Sequence, residues 1–171
     1  MLYCWFVETP LGQLTLWQEG GALVRACWDS PCPAQSQQQC TPVLELAQQR
    51  LAAYFAGDSS ALECVPISAA GSAFQQQVWQ ALRRIPAGQV RSYGQIAHLL
   101  GRPKASRAVG RACHTNPLPL FIPCHRVVAA SGQLTGYAYG LERKSALLTL
   151  EGWQSLTQNV VKSSANRDTL P

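Results

Sequence analysis

The sequence predicts a protein of the α/β class, more narrowly α+β, built from two lobes. A β-type pattern fills about the first 30 residues, a capped helix follows, and helical patterns dominate after residue 72. We therefore expect a scaffold domain over residues 1–67, consisting of a small antiparallel sheet and a helix. A mostly helical domain over residues 68–155 follows, and the polar residues 156–171 are predicted to be a disordered tail.

Turn and cap signals mark the elements of the N-terminal domain. Leu14–Trp17 alternates between apolar and polar side chains, and Gly20-Gly21 predicts a tight turn before the next apolar run. The Pro- and Gln-rich segment Ser30–Cys40 predicts a loop. Thr41-Pro42 predicts a helix start, with Thr as the N-cap, and Gly57 ends that helix. Nothing in this half indicates chemistry.

Helical patterns fill the second domain. An apolar stripe at helical spacing comprises Phe74, Val78, Ala81, Leu82 and Ile85. Ser92–Gly101 predicts a short helix with a serine cap and a glycine stop, and a turn at Arg102-Pro103 leads to a second helix, Lys104–Cys113. Two short helices joined by a tight turn, the second of them basic, predict a helix-turn-helix, which we expect to be winged-helix-like. The outline alone is weak evidence, since many helical pairs bind nothing.

The charges are distributed unevenly. Residues 1–63 hold six acidic and two basic side chains, whereas residues 64–141 hold no Asp or Glu and eight Lys or Arg. A long stretch without carboxylates lowers the electrostatic cost of approaching a polyanion, so it favours nucleic-acid binding over a merely basic surface. No secretory signal and no apolar run of the ~18–20 residues that span a bilayer is present. We therefore expect a cytoplasmic protein with no membrane partner.

The seven cysteines show no pairing pattern. Their number is odd and none stands in a CxxC spacing, so the sequence predicts neither a disulfide framework nor a zinc site. Most of them are expected to be small buried apolar residues, with one a candidate nucleophile.

A proline-rich segment delivers one cysteine to a fixed point of the chain. Three prolines within Asn116–Pro123 predict a rigid, extended backbone that ends at Cys124, with His125 and Arg126 directly after it. Nearby basic groups can lower the pKa of a thiol and so make it a nucleophile. Adjacent side chains on a strand point to opposite faces, however, so a buried structural cysteine is an equally good interpretation of the spacing alone.

The hexapeptide Pro123–Val128 resembles the active-site signature of the O6-alkylguanine-DNA alkyltransferases, also called methylated-DNA–protein-cysteine methyltransferases. Further motifs appear in the family's order: Phe74-Gln75-x-x-Val78-Trp79, Ile85-Pro86-x-Gly88-x-Val90, Ser92-Tyr93-Gly94-x-Ile96-Ala97, Arg107-Ala108-Val109-Gly110, Asn116-Pro117, Thr135-Gly136-Tyr137 and Leu150-Glu151-Gly152. The resemblance covers about residues 72–153, and the N-terminal half resembles the family's variable domain more loosely.

The resemblance implies a role for each candidate catalytic residue. Cys124 attacks the O6-alkyl carbon and keeps the alkyl group as a thioether, so each molecule acts once. His125 takes the thiol proton through a water, and Glu151 orients that histidine. Tyr93 hydrogen-bonds the departing guanine and helps to supply its proton, and Asn116 braces the loops around the site. Without the family, a surface position at a helix end is the favoured interpretation of Glu151.

The resemblance also implies how duplex DNA carrying O6-alkylguanine is bound, with O4-alkylthymine left open as a second substrate. The damaged base flips out of the stack, Arg107 fills the vacated position, and the second helix packs into the minor groove. The implied DNA-binding residues are Ser92, Tyr93, Ala105, Ser106, Arg107, Gly110 and Arg126. The implied walls of the guanine pocket are Val127, Thr135, Tyr137, Ala138 and Tyr139. A monomer is expected, with cooperative binding on DNA left open.

Some residues depart from the family pattern. Tyr139 stands where members often have Gly, so it either narrows the tolerance for large O6 adducts or swings outward. Ala146 replaces a frequent aromatic, which suggests a repacked helix. Some members bind zinc through N-terminal Cys and His, but the only histidines here are His98, His114 and His125. We therefore predict no metal and no cofactor.

Three other functions stay open at this stage. A non-catalytic lesion-binding relative lacks the cysteine, so Cys124 argues against it. A helix-turn-helix regulator with an inert cysteine would bind duplexes sequence-specifically, and a Cys-His hydrolase would turn over repeatedly.

By motif position Cys113 lies near the pocket, where a core cysteine is favoured over a second reactive thiol.

Overall fold

The N-terminal lobe is built on a four-stranded sheet. The computed structural model describes residues 1–154, and in it β1 (Tyr3–Thr9), β2 (Gly12–Glu19) and β3 (Ala22–Trp28) form an antiparallel meander. A fourth strand, β4 (Gln37–Gln38), pairs in parallel with β1, so the strand order is β3-β2-β1-β4. The expected antiparallel sheet is therefore mixed, because the segment predicted as a loop returns along the free edge of β1.

The turn between β2 and β3 is the predicted one. Gly20 and Gly21 have φ angles of +57° and +81°, which only glycine adopts without strain, and both central positions of the hairpin turn require such angles. The alternation expected in Leu14–Trp17 is absent from the burial pattern, since all four side chains are buried. Both faces of β2 are therefore covered.

A disulfide bond links Cys4 of β1 to Cys32, which corrects the prediction that no disulfide is present. The pairing of β4 with β1 carries the loop back across the strand, and a separation of 28 residues gives no sign of that return. The expectation that most cysteines are buried is also wrong for two of them, since Cys40 and Cys64 are exposed.

Helix α1 (Pro42–Phe55) begins and packs as its sequence predicts. The Thr41 hydroxyl accepts a hydrogen bond from the Leu44 amide, which satisfies one of the unpaired donors at the helix N-terminus. Its buried face contacts β1, β2 and β3 and comprises Leu44, Ala47, Leu51 and Tyr54. Because Tyr54 is near the end of this face, its hydroxyl lies at the border with the second lobe.

The C-terminal lobe contains four helices in its described part: α2 (Ala73–Arg83), α3 (Tyr93–Leu99), α4 (Ser106–His114) and α5 (Leu141–Leu150). Helices α3 and α4 contact each other and form the predicted pair, although α4 begins two residues later than expected. A capping box of Ser92 and Gln95 begins α3. Where a winged helix has a hairpin, the described part of this lobe has two short parallel strands.

Those strands, β5 (Arg91–Ser92) and β6 (Val127–Val128), position the site. They join the start of α3 to the chain just after Cys124, so the segments that carry Tyr93 and the cysteine are held next to each other. None of the helices within residues 1–154 is long and apolar enough to cross a membrane.

The two lobes share one apolar core. The buried cluster runs from the sheet through α1 to α2, α4 and the segment before Cys124. Strand β3 contacts the C-terminal lobe directly, since the Ala26 amide donates to the Pro117 carbonyl at 2.8 Å, while its Leu23 amide donates at 2.9 Å to the carbonyl of Pro66, at the end of the N-terminal domain. The domain boundary at residues 67 and 68 stays a prediction, and the tail, 156–171, lies outside the described residues.

The disulfide is expected to stabilise the N-terminal lobe. Closing a loop of 28 residues restricts the unfolded chain, so Cys32→Ser should lower the free energy of unfolding by about 2–4 kcal/mol in urea titrations. Thiol titration of the denatured, non-reduced protein should give five thiols, and seven after reduction. Seven thiols before reduction would contradict the bond. Cys64→Ser, at an exposed free cysteine, is the control and should change neither stability nor fold.

Candidate active site

Cys124 stands at the start of a tight turn. The Asn116 side chain donates to the Ile122 carbonyl at 2.8 Å and accepts from the Leu118 amide at 3.0 Å, which closes the proline-rich segment into a braced loop. Leu120 has a φ of +72°, a strained angle for a branched side chain. The expected extended strand at Cys124 is instead one 3₁₀ turn, Cys124–Arg126, followed by β6. The bracing role predicted for Asn116 fits this geometry.

The thiol opens into a cavity of about 190 Å³ between α3, α4 and the loop before α5. Its lining residues are Tyr93, Gly110, Cys113, His114, Cys124, Gly136, Tyr137 and Ala138. The Tyr93 hydroxyl donates to the Thr135 carbonyl at 3.1 Å, which ties α3 to that loop. A larger cavity of about 350 Å³, lined in part by Tyr54, Arg83 and Arg126, contains no cysteine. The smaller cavity is therefore the candidate site.

The residue that follows Cys124, His125, forms a buried pair with an acid at the end of α5. The His125 Nε2 atom lies 2.8 Å from Oε1 of Glu151, and both side chains are fully buried. The carboxylate can only accept when ionised, so Nε2 carries the proton and Nδ1 keeps a free lone pair. Nδ1 has no hydrogen-bond partner among the described residues and is buried. The imidazole can therefore accept a proton on the side away from Glu151.

The pKa shifts fit these protonation states. Burial opposes ionisation of Glu151, but hydrogen bonds from His125 and Arg126 lower its pKa to about 2. Burial lowers the pKa of His125, which keeps the ring neutral. Burial also raises the pKa of the Cys124 thiol, opposed by Asn116 and by the Lys144 ammonium. At neutral pH the resting site holds a thiol and a neutral base, so proton removal must accompany attack.

Arg126 faces inward, which argues against the DNA-binding role that the family resemblance implies for it. Its Nε donates to Glu151 Oε2 at 2.9 Å, its Nη2 donates to Oε1 at 2.8 Å, and its Nη1 donates to the Ile85 carbonyl at 2.6 Å. The residue is 9% exposed. A buried carboxylate is costly unless a cation is paired with it, and Arg126 is that cation. Arg126 therefore belongs to the Glu151 network and not to the DNA-binding surface.

Lys144 is a site residue that the sequence analysis did not identify. Its buried ammonium donates to the carbonyls of Val127 at 2.5 Å, Thr135 at 2.9 Å and Gly136 at 3.3 Å. It thereby ties the cavity loop to β6. Lys144, Leu147 and Leu148 fall at i, i+3 and i+4 on α5, and this spacing was the signal that could have placed the lysine on the buried face.

Only some of the residues expected to form the pocket walls line the cavity. Tyr137 and Ala138 line it, whereas Val127 is buried behind it and Thr135 takes part through its carbonyl. Tyr139 swings outward: its hydroxyl lies 3.8 Å from the Cys27 sulfur of β3, and it does not line the cavity. Of the two alternatives for Tyr139, the structure therefore favours the outward side chain over a narrowed pocket.

The predicted DNA-binding residues cluster at the helix pair. Ala105 is the N-cap of α4, Ser106 is partly exposed and Arg107 is exposed, with no hydrogen bond or ion pair to any described residue. The Ser92 hydroxyl caps α3 by accepting from the Gln95 amide. Gly110 lies against the Tyr93 ring, where a Cβ would be 3.8 Å away. Arg107 is thus free to reach a partner, and Gly110 also contributes to the cavity.

No group of three or more His, Cys, Asp or Glu that could hold a metal ion occurs within the described residues.

Cys113 lines the same cavity as Cys124, as its motif position predicts. Burial and the neighbouring Cys124 raise its pKa to about 12, so the Cys113 thiol is protonated at neutral pH.

Known proteins resemble this chain over nearly its whole length. The family model of the 6-O-methylguanine DNA methyltransferase DNA-binding domain matches residues 73–153. The methylated-DNA–protein-cysteine methyltransferase of Mycobacterium leprae is 42% identical over 160 residues, which cover 92% of this chain and 96% of that protein. The constitutive methylated-DNA–protein-cysteine methyltransferase of Bacillus subtilis is 43% identical, covering 88% and 96% of the two chains.

Solved structures agree with this. The crystal structure of the Mycobacterium tuberculosis O6-methylguanine methyltransferase matches with a TM-score of 0.76 at 40% identity, covering 88% of this chain and 93% of that one. That of Mycobacterium tuberculosis OGT in complex with DNA matches with a TM-score of 0.78 at 41% identity and the same coverage. The motif around Cys124, the fold and 42% identity to a relative across 92% of the sequence show that the chain belongs to the methylated-DNA–protein-cysteine methyltransferase family.

Proposed function

We propose that this protein repairs DNA directly, by moving an alkyl group from O6 of guanine onto its own Cys124. The observation that carries the proposal is a cavity that Cys124 lines together with Tyr93 and Tyr137, while the next residue, His125, is paired with the buried Glu151. A thiol at the end of a rigid loop, a neutral base and a buried acid are the nucleophile, base and orienting group of covalent catalysis. The DNA-binding family model and the DNA-bound relative support DNA as the partner.

The transfer is a displacement at carbon. The Cys124 sulfur forms a bond to the alkyl carbon as the bond from that carbon to guanine O6 breaks. The thiol proton goes to Nδ1 of His125, directly or through one water, and the ionised Glu151 stabilises the imidazolium that forms. The electron pair of the broken bond leaves with the guanine, which must gain a proton.

Tyr93 is the group that supplies this proton. Its phenol is protonated at neutral pH, since its ordinary pKa is near 10 and burial raises it further. The hydroxyl lines the cavity and donates to the Thr135 carbonyl at 3.1 Å, so a base bound in the cavity would compete with that carbonyl for the proton. Solvent exchange then takes the extra proton from His125 and returns one to the Tyr93 phenolate, so that the net result is one proton moved from the thiol to the guanine.

The product explains why each molecule acts once. A thioether has no leaving group that water can displace under mild conditions, and the described cavity contains no second nucleophile with a lowered pKa. Substrate and catalyst are therefore consumed together. A cavity of about 190 Å³ fits a flipped base with a small alkyl group, so O6-methylguanine is the preferred lesion.

Access to the cavity requires that the base leave the duplex. The O6 atom lies within the base stack, whereas Cys124 is 6% exposed at the bottom of the cavity. Arg107, exposed and unpaired at the start of α4, is positioned to enter the stack in its place. The carboxylate-free stretch 64–141 supports binding through phosphates and without sequence preference. We expect the protein to bind as a monomer.

Peptide mapping tests the transfer site. We expect a duplex with one O6-methylguanine to add one methyl to the tryptic peptide Ala112–Arg126, and fragmentation should place it on Cys124. Cys124→Ser should abolish labelling, whereas the control Cys113→Ser, in the same cavity, should be labelled at Cys124 as before. Binding of the duplex with no methyl on any cysteine would contradict the proposal and indicate a lesion sensor or regulator.

Substitution of Arg107 tests base flipping separately from the methyl transfer. Since unstacking a base costs a few kcal/mol, Arg107→Ala should slow methyl transfer from the duplex by about tenfold or more. Transfer from the free base O6-methylguanine, which is not stacked, should stay unchanged. Arg50→Ala, an exposed arginine of the N-terminal lobe, is the charge-matched control and should affect neither rate. Equal losses on duplex and free base would show that Arg107 has no role in flipping.

A further inference from the structure

Tyr54 connects the N-terminal lobe to the catalytic pair. Although it belongs to α1, its hydroxyl donates to Glu151 Oε1 at 2.7 Å across 97 residues of sequence, and the residue is 1% exposed. Burial and the neighbouring Glu151 carboxylate raise the pKa of the phenol, so the hydroxyl remains a donor. Among the described residues it is the only N-terminal side chain that hydrogen-bonds Glu151, and it does so at the atom that holds His125.

Three donors converge on that one atom. Oε1 accepts from Tyr54, from His125 Nε2 at 2.8 Å and from Arg126 Nη2 at 2.8 Å, whereas Oε2 accepts from Arg126 Nε alone. A carboxylate oxygen offers about two lone-pair sites, so the three donors share its charge. Each bond to Oε1 is therefore weaker than it would be with one donor fewer, and the carboxylate is held from three directions.

We propose that Tyr54 is a positioning residue for alkyl transfer, which holds Glu151 in place and limits how strongly its carboxylate binds the His125 ring. The inference rests on the proposed function, since it concerns the base that accepts the proton of Cys124. Through Tyr54 the N-terminal lobe takes part in the reaction, although nothing in its sequence indicates chemistry. The apolar body of Tyr54 packs in the core with the rest of α1, and only the hydroxyl has this second role.

The charges around His125 fix the direction of the effect. Glu151 favours the imidazolium, whereas Arg126 and Lys144 oppose it, as does burial, and the thiol of Cys124 is neutral at rest. Without the Tyr54 hydroxyl, more of the charge on Oε1 is available to Nε2–H, which stabilises the imidazolium. The pKa of His125 therefore rises, and at a given pH less of the ring is neutral and able to accept the thiol proton.

The test is the pH profile of a single-turnover reaction. Tyr54→Phe in the full chain keeps the ring and removes the donor. Methyl transfer from an O6-methylguanine duplex, measured from about pH 4 to 8 because burial lowers the pKa of His125, should have its rising limb moved up by about one pH unit, since a hydrogen bond to a charged group is worth about a factor of ten. Transfer should be about tenfold slower at the acidic end and near the wild-type rate at the basic end.

Two controls separate positioning from stability. Leu51→Val removes one methyl group from the same buried face of α1 without touching Glu151, so it should lower the melting temperature and leave the pH profile unchanged. In a Glu151→Gln background, Tyr54→Phe should produce no further shift, because its effect passes through that carboxylate. A shift caused by Leu51→Val, or one that persists without Glu151, would overturn the inference.

A direct titration distinguishes this inference from the proposed function. Carbon-13 NMR of labelled histidine follows His125 without DNA, with the exposed His98 and His114 as internal references. Its titration should lie at higher pH in Tyr54→Phe than in the wild-type protein. Identical titrations and superimposable rate profiles would overturn the role of Tyr54. Failure of the wild-type protein to accept a methyl would overturn the proposed function, while the titration still decides the effect of Tyr54 on His125.

Discussion

The buried carboxylate of Glu151 is the constraint on which the site depends. An ion with no exposure to water costs several kcal/mol unless partners offset the loss of hydration, and here Arg126, His125 and Tyr54 do so. Arg126 in turn binds the Ile85 carbonyl just after α2. Four parts of the structure therefore meet at this one charge, namely the turn at Cys124, the ends of α2 and α5, and the N-terminal lobe.

The same burial gives the two reacting groups complementary states. It raises the pKa of the Cys124 thiol and lowers the pKa of His125, so before DNA binds the site holds a thiol beside a neutral base. Such a thiol is a weak nucleophile toward solutes that reach the cavity by chance. In the proposed reaction, attack requires proton transfer to His125. Selectivity for a lesion held in the cavity would then follow from this pairing of thiol and base, as well as from the shape of the cavity.

The local elements were predictable from sequence, because caps, turns and helical stripes depend on near neighbours. Thr41, Gly20-Gly21 and the helix pair are examples. The family motifs predicted roles for Cys124, His125 and Glu151, and of these the structure brings His125 and Glu151 into contact. The bond from Cys4 to Cys32 and the contact between Tyr54 and Glu151 were not, since both depend on how distant segments pack. The inward turn of Arg126 follows from the Glu151 charge, which no local pattern shows.

The central claim is that the protein is consumed as it repairs, and a burst experiment tests it most directly. A limiting amount of protein is mixed with an excess of duplex carrying a radiolabelled O6-methylguanine, and the label on protein and the lesion left in DNA are followed together. The account predicts that both stop changing when one methyl per protein has moved, at any excess of DNA. Continued loss of lesion beyond one per protein, or loss of lesion without label on the protein, would contradict it.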